Sequence, residues 1–99
     1  MRITSDYARA IKQAATETFG ANAVVRLFGS RADDAKRGGD VDLHVELPRK
    51  PADWRAKYWF ISRIEERTGD ERKIDLVLYE SGSPLRPIDQ IALSEGIVL

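Results

Sequence analysis

The sequence predicts an α/β fold, a small mixed sheet flanked by helices, and three observations carry that prediction. Apolar residues recur at helical spacing in two long segments, and a third segment alternates apolar and polar residues. The segments follow one another as helix, strand, strand, helix, strand, helix, an order that suits a sheet covered by helices. Ninety-nine residues supply one hydrophobic core and therefore one domain, 1–99.

Residues 5–19 form the first predicted helix, with Tyr7, Ile11, Ala14, Ala15 and Thr18 on one face. Thr4 or Ser5 is placed to cap its start and Gly20 to end it. Residues 24–28 are a β-branched and aromatic run that reads as a buried strand. Residues 40–47 alternate, placing Val41, Leu43, Val45 and Leu47 on one face and Asp40, Asp42, His44 and Glu46 on the other. A second helix is expected from Pro51 or Ala52 to about Thr68, with Trp54, Tyr58, Ile61 and Ile64 as its core stripe and Phe60 at the border. Residues 73–79 read as a third strand, with Asp75, Val77 and Tyr79 on one face. A short helix, 88–95, precedes the apolar tail Ile97, Val98 and Leu99.

Composition excludes several classes. Sixteen basic and sixteen acidic residues leave no net charge, which weighs against direct nucleic-acid binding by bulk electrostatics. No apolar run reaches the roughly 20 residues of a membrane helix, and the first twelve residues lack the apolar stretch of a signal peptide. The absence of cysteine removes disulfides and thiolate metal sites and fits a cytoplasmic protein.

The segment that points to chemistry is Leu27-Phe28-Gly29-Ser30, nine residues, then Asp40-Val41-Asp42-Leu43. Gly29 ends a strand where a missing Cβ lets backbone approach a ligand. Ser30 and Arg31 open an expected helical turn, 32–36, whose free N–H groups would cradle phosphate. Asp40 and Asp42 lie two apart on one strand face, with Cα atoms about 7 Å apart, and repel unless a cation sits between them. Oxygen ligands select hard ions such as Mg²⁺. Asp75 sits inside an apolar strand where an unpaired charge is costly. Beside the second strand it would complete a three-carboxylate site able to hold two metals and to take a proton from an attacking hydroxyl.

This pattern resembles the nucleotidyltransferase superfamily of DNA polymerase β. Gly29-Ser30-Arg31-Ala32 with Gly39-Asp40-Val41-Asp42-Leu43 is similar to its minimal nucleotidyltransferases, the MNT proteins. The resemblance implies a polymerase-β-like fold and transfer of a nucleoside monophosphate, AMP from ATP, to an acceptor hydroxyl. By position it assigns the triphosphate to Gly29 and Ser30; Arg31, by its own chemistry, is suited to pair with phosphate oxygens. It assigns two Mg²⁺ ions to Asp40, Asp42 and Asp75. It also implies a HEPN-type toxin partner for which the chain acts as antitoxin. A non-catalytic module that masks its partner, and a transferase for a small-molecule hydroxyl, are the competing readings. Nine residues separate Gly-Ser from Asp40 where many MNT proteins have ten, which leaves the role of Arg31 open.

Other residues carry quieter expectations. His44 reads as a hydrogen-bonded structural histidine and Glu46 as solvated. Lys36 and Arg37 suit either a positive wall or an ordinary charged loop. Trp59 falls off the expected core stripe, so Trp59 and the apolar tail mark an expected surface for a partner or a second copy of the chain.

Overall fold

The computed structural model describes residues 3–29 and 40–99. Its elements run α1 (Ser5–Phe19), β1 (Val24–Phe28), β2 (Val41–Leu47), α2 (Ala56–Thr68), β3 (Ile74–Glu80), α3 (Pro87–Glu95) and β4 (Ile97–Val98). The strands form one mixed sheet in the order β3-β2-β1-β4. β2 pairs antiparallel to β1 and parallel to β3, and β4 pairs antiparallel to β1. The expected mixed α/β architecture is present, with a fourth strand: the apolar tail does not hang free but closes the sheet edge beside Arg26 and Leu27.

Register divides the sheet into two faces. Val25 and Leu27, Val41 to Leu47 at alternate positions, and Ile74 and Leu76 point to one side. There they join Tyr7, Ile11, Ala14 and Ala15 of α1 and Phe60 and Ile64 of α2 in a single core. Most of these side chains lose nearly all contact with water, each large one contributing roughly 1.5–3 kcal/mol. α1 starts where the Thr4 hydroxyl accepts from the Tyr7 N–H at 3.0 Å. Phe19 and Phe60 stack across the α1–α2 seam with ring centroids 5.3 Å apart.

α2 departs from its expected start and stripe. It begins at Ala56 because the Asp53 carboxylate accepts from the Arg55 N–H at 2.9 Å, a local turn that competes with helix through 51–55. Its buried face is Ala56, Phe60 and Ile64, with Ile61 half-buried, while Trp54 is 75% and Tyr58 56% exposed. Both positions were expected in the core. Phe60 has no polar atom to satisfy and takes the centre, whereas buried Trp and Tyr need partners for N–H and O–H. α2 ends at Gly69, whose φ of +66° suits a left-handed cap, its N–H donating to the Glu65 carbonyl.

Rows run across the other face: Phe28, Asp42 and Asp75; then Arg26, His44 and Val77; then Val24, Glu46 and Tyr79. α3 lies over this face at the His44 end, with Ala92 and Asp89 buried beneath it.

Candidate active site

Asp42 and Asp75 stand opposite one another in the parallel β2–β3 ladder, so backbone register brings the two carboxylates together. Gly29 follows the β1 residue opposite Asp42, with φ at +71°. A Cβ at residue 29 would overlap Oδ2 of Asp42, so the glycine leaves the space this carboxylate occupies.

Electrostatics mark the pair. Burial first, then the charges of Asp75 and Asp40 and a hydrogen bond with Asp75, push the Asp42 carboxyl above its ordinary value. Lys73 opposes that shift and sits 3.7 Å from Asp75, the two side chains projecting from alternate positions entering β3. Lys73 was not singled out from sequence; its i, i+2 spacing from Asp75 was the available signal. Asp40 is exposed just before β2 and acts on Asp42 through its charge. Among the described residues no three His, Cys, Asp or Glu side chains converge on one ion position. The structure thus brings Asp42 and Asp75 together, with Asp40 at their margin. Ser30, Arg31, the 32–36 turn, Lys36 and Arg37 lie outside the described residues.

The donor set suits a hard divalent cation. Among the described residues neither carboxylate has an ion pair apart from the 3.7 Å Lys73–Asp75 contact, and the two supply oxygen ligands and mutual repulsion that a cation relieves.

Next along the same face lies a buried polar network that sequence reasoning reached only in part. His44 is fully buried and hydrogen-bonded as expected, and its partner is Asp89 of α3: Nε2–H donates to Oδ1 at 2.9 Å. Asp89 also accepts from the Arg86 backbone N–H at 2.9 Å and from Nε at 2.8 Å. Arg86 reaches on to the Leu78 carbonyl of β3. The Arg86 hydrogen bonds, with that of His44, hold the Asp89 carboxyl well below the usual carboxylate range. The signal for Asp89 was its place three residues after Arg86 at the start of a Pro-led helix. Glu46 is not simply solvated: Arg26 donates to it at 2.9 Å and Ser81 Oγ at 2.8 Å. These bonds, Ser81's first, lower its pKa.

The sequence profile described as a nucleotidyltransferase domain matches residues 8–98, from α1 to the last strand. The chain belongs to the nucleotidyltransferase domain family. The match takes in Gly29, Asp40, Asp42 and Asp75 together, and the four-stranded mixed sheet with three helices is consistent with such a domain. A nucleotidyltransferase domain implies transfer of a nucleotidyl group from a nucleoside triphosphate, in general with divalent metals. No curated protein matches the chain. Among the described residues no helix is long and apolar enough to cross a membrane.

Proposed function

We propose that this nucleotidyltransferase transfers AMP from ATP to a hydroxyl of a HEPN-type toxin partner, and thereby acts as its antitoxin in the cytoplasm. The observation that carries the catalytic part is the in-register Asp42–Asp75 pair beside Gly29, in a chain whose family transfers nucleotidyl groups. The minimal MNT pattern of residues 29–32 and 39–43 supports the partner assignment.

In this reading Asp40, Asp42 and Asp75 would hold two Mg²⁺ ions, whose chemistry there would be Lewis-acid stabilisation of the transfer. Gly29, Ser30 and Arg31 hold the phosphates. Transfer forms a bond from the acceptor oxygen to the α-phosphorus and breaks the bond from that phosphorus to the bridging oxygen, releasing pyrophosphate. Asp75 accepts the proton of the acceptor hydroxyl, its carboxylate half exposed at the start of β3 where an incoming group can reach it. Lys73 lies beside it, its ammonium 3.7 Å from the carboxylate.

The test uses ATP labelled at the α-phosphate, Mg²⁺, and a purified HEPN-type toxin. Label on the toxin that survives denaturation, with none from γ-labelled ATP, is the expected outcome. Label on the chain itself would indicate transfer between copies of a homo-oligomer. Label retained entirely in nucleotide, with each of the four triphosphates, overturns the catalytic reading.

A further inference from the structure

The exposed side of the β2–α2 connection carries a combination that the proposed transfer does not use. Residues 48–59 hold four cations, Arg49, Lys50, Arg55 and Lys57, against one carboxylate, Asp53. Three aromatic rings stand among them: Trp54 at 75% exposure, Tyr58 at 56% and Trp59 at 45%. Trp54 and Tyr58 meet edge to face with centroids 5.8 Å apart, so one ring's edge rests on a face of the other while both residues stay largely exposed. The Arg55 guanidinium lies 5.5 Å from the Trp59 ring centre while holding Asp53.

We propose that this face binds single-stranded polynucleotide, stacking bases on Trp54 and Tyr58 and pairing phosphates with Arg49, Lys50 and Lys57. The inference goes beyond the catalytic reading and does not depend on it. Three arguments select this occupant. The segment contains no Leu, Ile, Val or Met and sets two lysines, Lys50 and Lys57, among its rings, whereas protein interfaces favour Tyr, Trp and Arg but are depleted in lysine. Exposed rings interleaved with cations are the arrangement that binds single strands, because every base offers a π-face and every linkage a charge. A second copy meeting the same face would set like charges against each other.

The zero net charge of the chain does not oppose this. It averages over the whole molecule, while the phosphate contact is local: Asp53 is taken up by Arg55, and Glu80 accepts from the Lys50 backbone N–H, at 2.9 Å. The face lies beyond the C-terminal end of β2, roughly 17 Å along the strand from Asp42 at about 3.3 Å per residue, so a strand held here leaves the carboxylates open.

The experiment titrates the full chain into a fluorescein-labelled oligouridine of about twelve residues, reading anisotropy together with intrinsic tryptophan emission. The expected result is binding of order 10–100 µM at low salt, with tryptophan quenching and a log–log salt slope near −2, about −0.7 for each of three phosphate contacts. Trp54→Ala and Tyr58→Ala, both at exposed positions, should each weaken binding at least about five-fold. Arg49→Gln with Lys50→Gln should flatten the salt slope. Absence of binding overturns the proposal, as do unchanged affinity in the folded aromatic variants and equal affinity for an RNA duplex. Poly-L-glutamate competing as well as oligouridine also overturns it, showing a face for an acidic polypeptide instead.

Discussion

Gly29 and Asp42 are fitted to each other: the space a side chain would occupy at residue 29 holds the Asp42 carboxylate, and the backbone there is left-handed. Gly29→Ala should therefore act twice. Left-handed strain costs about 1–2 kcal/mol, and the new methyl displaces a carboxylate that β2 has placed opposite Asp75. Thermal unfolding should show the modest loss of stability. Transfer assayed on the same folded sample should fall by far more than that loss explains.

Asp42 bears on stability in the opposite sense. Its carboxyl titrates higher in the folded chain than in the unfolded one, so the folded state binds the proton more tightly. Stability from this group therefore falls as pH rises from the ordinary aspartate range through the raised value. Asp42→Asn should raise the metal-free melting temperature at neutral pH and abolish the further rise that Mg²⁺ with a triphosphate gives the parent protein. Equal ligand-induced shifts in both proteins would remove Asp42 from the metal site.

For Asp75 the readout is chemical. Asp75→Asn keeps the shape of a half-exposed side chain while removing a metal ligand and a proton acceptor. The fold should persist by circular dichroism and transfer should drop by at least ~10². Near-normal transfer in the folded variant would exclude the assigned role.

Asp89 has the conventional sign. Its pKa is lower folded than unfolded, so its contribution is complete above the ordinary aspartate range and disappears as pH falls through and below it. Asp89→Ala leaves a buried His44 N–H without its acceptor and should cost on the order of 3 kcal/mol at neutral pH. Melting temperatures followed into acid should then show a shallower decline than in the parent.

The orientation of α2 can be checked by contrast. Phe60→Ala should cost about 3–5 kcal/mol, as for a fully buried phenylalanine, whereas Trp54→Ala should stay within about 0.5 kcal/mol of the parent. Denaturant midpoints for the two variants decide between this helix face and the stripe through Trp54 and Tyr58.

What the sequence revealed follows from how local each signal is. The alternation of 40–47 defined both faces of β2, and the Thr4 and Gly69 caps bounded their helices because those signals act over a few residues. The carboxylate pair was half legible: Asp42 and Asp75 were visible as polar interruptions of apolar strands, but their opposition required the β2–β3 register. The rotation of α2 was hidden because six bulky apolar residues offered two overlapping stripes, and only packing against α1 and the sheet, Phe19 on Phe60 included, separates them. The His44–Asp89 pair joins residues 45 apart in sequence, a separation no periodicity reports.

The parallel pairing of β2 with β3 also bears on the order in which the chain acquires its parts. Two parallel strands cannot meet through a tight hairpin, so Asp42 reaches Asp75 only after the connection through α2 has closed. That closure is a non-local step with an entropic cost, and repulsion between the carboxylates opposes it from within. A refolding chain therefore has no half-built centre: the two acids become neighbours in the same event that adds β3 to the sheet. An ion that bridges them would act on the nascent protein as much as on the finished one, drawing together strands whose charges hold them apart.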